Sequence, residues 1–161
     1  NCEKFLYQRE VQSGGMTTPV EPHHQWGADV YAFAACSQAA VATTHFGKRT
    51  DRASNNDFIY FDVDDAFAAQ GERRFRIAVT YQNSGTATWH LDYSTETNAI
   101  VSTPSVTNTG NAAEVKTVIF SLSDASFRNA YAGGTMDFRI SNGEDTQDVS
   151  IRTVRVMRGG Q

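Results

Sequence analysis

Short stretches with an apolar residue at every second position dominate the chain, and residues typical of turns separate them. The clearest are residues 75–81 (FRIAVTY) and 86–93 (TATWHLDY), on either side of an Asn-Ser-Gly sequence at 83–85. Because successive side chains of a strand point to opposite faces, this period of two predicts half-buried strands. The short polar connection between the two stretches predicts a β-hairpin.

Further strands are predicted from the same signals at residues 4–12, 58–63, 115–122, 136–140 and 149–158. The aromatic and β-branched run FIYFDV at 58–63 is typical of a strand covered on both faces. Residues 28–44 carry both helix and strand signals and stay unassigned. Many short strands without long helices between them predict an all-β antiparallel sandwich rather than a parallel α/β sheet.

The length and the charge of the chain limit its organisation and its partners. A length of 161 residues corresponds to one domain, which we place at residues 1–158, with 159–161 as a tail or linker. A net charge of −4 argues against binding to nucleic acid or to an anionic membrane, and no apolar run is long enough to cross a membrane. Because Asn1 rather than Met begins the sequence, we expect a mature chain or an excised domain.

The two cysteines, Cys2 and Cys36, stand in no metal-binding spacing. Cys2 is close to the terminus and has no evident packing role, which favours a disulfide with Cys36 and therefore an exported, secreted or cell-surface protein. Such a bond closes a long loop and stabilises the fold by about 3 kcal/mol in the chain-entropy view. Two free thiols, or a lipid-modified Cys2, are the alternatives.

Three stretches resemble the β-jelly-roll carbohydrate-binding modules of bacterial polysaccharide-degrading enzymes. They are NDFIYFDVDDAF at 56–67, the whole of 75–95, and 120–158 with its segments SLSDASF, MDFRI and DVSIRTVRV. The resemblance covers about the C-terminal two thirds of the chain. It implies a jelly-roll sandwich, a monomer without catalytic activity, and fusion to a catalytic domain that it targets to a polysaccharide.

The same resemblance implies a structural Ca²⁺ ion between the first and the last strand. Asp148, directly before the final strand, matches the usual position of the acidic ligand, and Glu10 is the expected partner. The Glu-x-Glu pattern of such modules is replaced here by Arg9-Glu10-Val11. An ion at this place would stabilise the fold and take no part in catalysis. The alternative is a polar turn at Asp148 without an ion.

Sugar binding usually relies on an aromatic ring stacked on a pyranose and flanked by polar side chains. Trp89 is in phase with the apolar face of its strand and is therefore predicted to lie in the core. Trp26 follows His23 and His24 in a polar loop, which makes it a candidate stacking platform or, alternatively, a cap over the sandwich. Tyr131, in a loop before two glycines, is expected at the same end of the sandwich.

A basic loop at Lys48, Arg49 and Arg52 forms a local cationic cluster in this acidic chain, and eleven of the fourteen basic residues of the chain are arginines. Planar guanidinium groups bind carboxylate and sulfate groups well, so an anionic or sulfated polysaccharide is one hypothesis for the ligand. In the alternative, the loop is solvated and its charges pair with Asp51 and Asp57.

Two other functions stay open. A small jelly-roll polysaccharide lyase needs a Tyr/His pair and a cation, and His90 with Arg74 or Arg76 is expected on neighbouring outward faces without a Tyr in phase. A hydrolase needs two facing carboxylates, for which Asp62 and Asp64 are the candidates. A structural or adhesion domain without glycan binding is the second alternative.

Overall fold

The computed structural model describes residues 3–5, 10–11, 19–20, 48–63, 65, 67–68, 73–111, 114–129, 136–143 and 145–159. For residues 3–5, 10–11, 19–20, 48 and 54 it describes the backbone alone. All paired strands in these segments are antiparallel, and the segments contain no α-helix. The all-β prediction is therefore confirmed.

Twelve strands are described, together with a short 3-10 turn at Arg52–Ser54. In chain order they are β1 (Glu3–Phe5), β2 (Glu10–Val11), β3 (Pro19–Val20), β4 (Lys48–Arg49), β5 (Phe58–Phe61), β6 (Phe75–Gln82), β7 (Thr88–Ser94), β8 (Ile100–Ser102), β9 (Val106–Thr107), β10 (Val115–Leu122), β11 (Phe138–Ser141) and β12 (Ser150–Arg158).

The strand order is that of a jelly roll. The first sheet runs β1-β12-β6-β10, with β4 also paired to β12, and the second runs β5-β11-β7-β8, with β9 also paired to β7. Taking β1, β5, β6, β7, β8, β10, β11 and β12 as strands one to eight gives the orders 1-8-3-6 and 2-7-4-5. Apart from β7 and β8, which are neighbours in the second sheet, consecutive strands of this set alternate between the sheets, in the two-Greek-key manner of a jelly roll. The short strands β2 and β3 form a separate pair.

The core lies between the two sheets and is built from the apolar positions of the alternating strands. Trp89 is fully buried, as predicted, and meets the rings of Tyr81 and Phe120 edge-on at centroid distances of 5.0 and 6.0 Å. Its indole nitrogen donates a hydrogen bond to Asn108 Oδ1 at 3.3 Å, so the polar atom of the ring is also satisfied.

The prediction of a hairpin across residues 83–85 is wrong. The chain does turn there, with Gly85 at φ +65°, but β6 pairs with β10 and β12 while β7 pairs with β8, β9 and β11. The turn therefore carries the chain from one sheet to the other. Two consecutive alternating strands have the same pattern whether they are neighbours in one sheet or face each other across the core, so the period of two does not distinguish these cases.

The predicted strand bounds agree with the structure to within a few residues. The strand at 115–122 is observed as predicted, and the final strand begins one residue later. The single strand predicted at 4–12 is instead observed as parts of two separate strands, β1 and β2, which belong to different sheets. The unassigned stretch 28–44 lies outside the described residues. The described part of the chain contains no helix that is long and apolar enough to span a membrane.

Candidate functional site

The register of the second sheet places four polar or aromatic side chains in one row across its outer face. Tyr60 of β5 is level with Arg139 of β11, Arg139 is level with Asp92 of β7, and Asp92 is level with Ser102 of β8. Their neighbours along each strand, such as Leu91, point into the core. With strands about 4.8 Å apart, the row spans about 14 Å.

Asp92 is the centre of this row and is buried, with 3% of its surface exposed. Its Oδ2 accepts a hydrogen bond from Nε of Arg139 at 2.8 Å, and its Oδ1 accepts one from the Ser102 hydroxyl at 2.6 Å. Nε2 of His90 lies 3.1 Å from the same Oδ1. A buried carboxylate needs such partners because an unpaired buried charge is costly. Asp92 thereby holds side chains from three strands in place.

Arg139 connects the charged centre of the row to an aromatic edge. Its guanidinium carbon lies 3.8 Å from the ring centroid of Phe58, and Nη1 donates to the hydroxyl of Tyr60 at 3.4 Å. Burial alone would lower the pKa of Arg139, but its hydrogen bonds to Tyr60 and Asp92 outweigh burial and the pKa is raised. The guanidinium is therefore a fixed cation, stacked on one ring and paired with one carboxylate.

We name the set Phe58, Tyr60, His90, Asp92, Ser102 and Arg139 the Asp92–Arg139 face. The sequence pattern alone does not reveal this face as a site, although every member occupies an outward position of an alternating strand. The available signal was the spacing of His90 and Asp92 on one face of a strand. The missing information was the strand order that brings Tyr60, 79 residues away in sequence, to Arg139.

Most of the site residues predicted from the sequence cannot be compared with this face. Outside the described residues lie Trp26, His23, His24, Tyr131, Cys2 and Cys36. Lys48 and Glu10 are described by their backbone alone, in β4 and β2. The stacking platform, the disulfide and the role of Lys48 therefore stay predictions.

Two residues of the basic loop, Arg49 and Arg52, lie beside Asp148. Asp148 Oδ1 accepts hydrogen bonds from the Thr50 hydroxyl at 3.0 Å and from the backbone N–H of Arg52 at 2.9 Å. Asp148 Oδ2 is 4.0 Å from Nε of Arg49. These contacts connect the end of β4 to the segment before β12, across a sequence separation of almost a hundred residues.

The guanidinium of Arg52 is occupied as well. Its Nη1 lies 3.3 Å from Oδ1 of Asp57 and donates to the backbone carbonyl of Gly143 at 3.4 Å. The pairing with Asp57 that the sequence offered as the alternative for this loop is therefore observed. Arg52 thus connects the turn before β5 to the loop after β11. That loop lies next to His90, because a Cβ on Gly143 would stand 3.6 Å from the imidazole of His90.

The described residues provide no group of three or more His, Cys, Asp or Glu side chains placed to share a metal ion. The described partners of Asp148 are hydrogen-bond donors and a guanidinium. The backbone of Glu10 belongs to β2, which pairs with β3, whereas β12 pairs with β1, β4 and β6. The Ca²⁺ site at Asp148 and Glu10 stays a prediction that depends on the side chain of Glu10.

A melting experiment tests this ion. At an excess of a hundred times its Kd, a bound Ca²⁺ ion is expected to stabilise the fold by about 2.7 kcal/mol, which raises Tm by roughly 5–10 °C. Protein treated with EDTA should therefore melt that much lower than protein in CaCl2, and Asp148→Asn should remove the difference. Equal melting temperatures in EDTA and CaCl2 would end the calcium hypothesis.

Comparison with known proteins gives weak structural likenesses alone. No family model matches the chain, and no curated protein matches it. The chain is similar to a solved structure described as "BiXyn10A CBM1 APO", with 14% sequence identity and a TM-score of 0.48. The similarity extends over 98% of this chain and 96% of that chain. A likeness of this size assigns neither a family nor a ligand.

The jelly-roll order changes the geometry of the lyase alternative. Arg76 lies on β6 and His90 on β7, and these strands belong to different sheets, so the two side chains are on opposite outer faces of the sandwich. The expectation of neighbouring faces is therefore wrong. His90 instead shares its face with Tyr60 and Arg139. Asp64, one of the two carboxylates considered for a hydrolase, lies outside the described residues.

Proposed function

We propose that this protein is a non-catalytic module that binds a polysaccharide on the Asp92–Arg139 face. The observation that carries the proposal is the row Tyr60, Arg139, Asp92 and Ser102, held at one level across four strands. It places the fixed hydrogen-bonding groups of Arg139 and Ser102 next to the partly exposed ring of Phe58, whereas Tyr60 is 9% exposed and packs beside Met136. A polysaccharide presents apolar C–H faces and many hydroxyl groups, and sites for such ligands pair apolar walls with a few well-placed polar groups.

The rigidity of the row supports binding of a chain with many weak contacts. Arg139 is held by Asp92, Tyr60 and the ring of Phe58, and Ser102 by Asp92. Side chains that are already fixed lose less conformational entropy when a ligand arrives, so a larger part of each contact contributes to affinity. Strands also provide a more exact support than loops.

The wider role follows from the sequence resemblance to carbohydrate-binding modules. We propose that the module belongs to an exported enzyme, carries a Cys2–Cys36 disulfide, acts as a monomer and keeps a catalytic domain near its polysaccharide. In this proposal Trp26, His23, His24, Tyr131 and Lys48 provide further contacts to the polysaccharide.

Affinity electrophoresis tests the binding face. In native gels containing agarose, xylan, pectin, alginate or carrageenan, the protein should be retarded by at least one polysaccharide. His90→Ala is expected to weaken that retardation by about tenfold, because it removes a polar group fixed on the face. Ile119→Ala, on the outer face of the other sheet, is the control and should bind like the wild type.

The control variants separate the outcomes of this experiment. Equal retardation of His90→Ala and the wild type, with unchanged melting temperatures, would place binding elsewhere on the molecule. Trp26→Ala tests the proposed stacking platform independently, and unchanged retardation of this variant would show that Trp26 does not contribute to binding. A protein that no polysaccharide retards would be a structural or adhesion domain.

A second function is favoured by one observation, the presence of Tyr60, His90 and Arg139 on a single face. A polysaccharide lyase uses these residue types to abstract a proton and to neutralise a uronate carboxylate. Incubation with alginate, pectate and other uronate polymers, followed by the absorbance of unsaturated products, decides between the two functions. Product that accumulates with time, and is lost in His90→Ala, would replace the binding module by an enzyme.

A further inference from the structure

We infer that Asp92 sets the ligand class of this face and selects an uncharged glycan over an anionic one. The inference rests on the proposed function of the Asp92–Arg139 face and goes further by naming the chemistry of its ligand. Asp92 itself does not contact the ligand. It acts through Arg139, His90 and Ser102, and is a positioning residue.

The positive charges on and near the face are matched by carboxylates. Arg139 is paired with Asp92 at 2.8 Å, and no other described side chain of the face carries a fixed positive charge. The neighbouring basic loop is matched in the same way, with Arg52 at 3.3 Å from Asp57. Arginines that suggested an anionic ligand when counted in the sequence therefore have carboxylate partners in the fold.

An incoming carboxylate or sulfate would find the groups of Arg139 already engaged by other side chains. Nε of Arg139 is committed to Asp92, Nη1 to Tyr60, and one face of the guanidinium to the ring of Phe58. An anion next to Arg139 would also lie near the Asp92 carboxylate, which is buried and so is poorly screened by solvent. Repulsion from Asp92 offsets the attraction to Arg139, and the anion loses its hydration without a net gain.

Sugar hydroxyl groups carry no charge and are therefore not repelled by Asp92. A sugar hydroxyl both donates and accepts, so it can bond to the exposed parts of His90, Ser102 and Arg139 without bringing a charge onto the face. The hydrogen bonds of Asp92 hold these three groups in fixed directions. The buried Asp92 carboxylate thus neutralises the charge of Arg139 and fixes the directions of the hydrogen-bonding groups of the face.

Paired polysaccharides that differ in charge test the inference on the intact protein. Native gels contain either methyl-esterified pectin or polygalacturonate, and either agarose or carrageenan. The wild type should bind the uncharged member of a pair at least about tenfold more tightly than the charged one. Its binding should change little between low and high salt, because no ion pair with the ligand forms.

Asp92→Asn is the decisive variant because it removes the charge and keeps the shape. It leaves Arg139 without its carboxylate, so binding of the uncharged glycan should fall by about tenfold while salt-sensitive binding of the anionic one appears. The double variant Asp92→Asn/Arg139→Gln restores a face without net charge and should lose the anionic binding again. Glu96→Gln, which breaks the Arg73–Glu96 pair away from the row, is the control and should keep the wild-type preference.

The outcomes distinguish this inference from the proposed function. A wild type that binds the charged member of a pair as tightly as the uncharged one, or more tightly, overturns the inference and leaves polysaccharide binding intact. A folded Asp92→Asn with an unchanged preference overturns the role of Asp92. If Asp92→Asn fails to fold, the wild-type preference and its salt dependence decide the ligand class. A wild type that binds neither member of any pair overturns the proposed function itself.

Discussion

Replacing Trp89 with alanine is expected to lower the free energy of unfolding by about 3–5 kcal/mol. Trp89 is fully buried between the sheets and packs edge-on against Tyr81 of β6 and Phe120 of β10. Its loss leaves a large cavity lined by residues of both sheets. The Oδ1 of Asn108, itself buried, also loses the hydrogen bond donated by the indole nitrogen.

A loss of this size is a large part of the total stability of a domain, which is about 5–15 kcal/mol. Denaturant unfolding followed by circular dichroism measures it directly, and the midpoint of Trp89→Ala should shift far below that of the wild type. Ile119→Ala is the matched control, because its side chain is 47% exposed on the outer face of the first sheet and should change stability by less than about 1 kcal/mol. Similar midpoints for the two variants would contradict the described core.

The second large effect concerns Asp137, which has no exposed surface and lies just before β11. Its Oδ2 accepts the backbone N–H of Val63 at 2.8 Å and its Oδ1 that of Asn129 at 2.7 Å. Burial raises the pKa of this carboxyl to about 6, against the opposing effect of the two N–H groups and with a further contribution from Asp62 and Asp65.

The sign of the resulting pH dependence follows from proton linkage. Since the folded pKa of about 6 is above the ordinary value of 3.8, the folded state binds the proton of Asp137 more tightly than the unfolded chain. The stabilisation is complete below about pH 4 and is lost as the pH rises through 6, with a total of up to about 3 kcal/mol.

Asp137→Asn isolates this contribution from the other titrating groups. Denaturant unfolding of both proteins between about pH 4 and pH 7 should show the wild type gaining stability relative to the variant as the pH falls. A difference in unfolding free energy that does not change over this range would contradict the shifted pKa. Carboxyl titration of the folded wild type by NMR gives the pKa of Asp137 directly.

The alternation of residues predicted which side chains are buried, but it did not predict which strands are neighbours. The burial of Trp89 and the strand at 115–122 follow from local patterns that need no knowledge of the rest of the chain. The position of β7 relative to β6 does not, because the same pattern suits strands in one sheet and strands on opposite sheets. The energy difference between these arrangements comes from contacts between residues far apart in sequence.

The candidate site was hidden for the same reason. Arg139 pairs with Asp92, and the identity of this partner depends on the β11–β7 register, which local patterns do not predict. The arginines of the basic loop were visible in the sequence as charge, whereas their pairing with Asp57 and Asp148 depends on folding. The charge of this loop is therefore visible in the sequence, whereas the partners of its arginines are visible only in the fold.

The position of β12 in the first sheet has a consequence for how the chain folds. Among the described strands, β1 and β4 are joined to the rest of that sheet through β12, and β6 has β12 as one of its two neighbours. The last of the described strands along the chain is thus the one that closes the sheet. Pairings so distant in sequence fold slowly, on the scale of milliseconds to seconds. During synthesis, β6 and β10 therefore keep one strand edge unpaired until β12 has emerged, and an unpaired edge exposes the chain to aggregation.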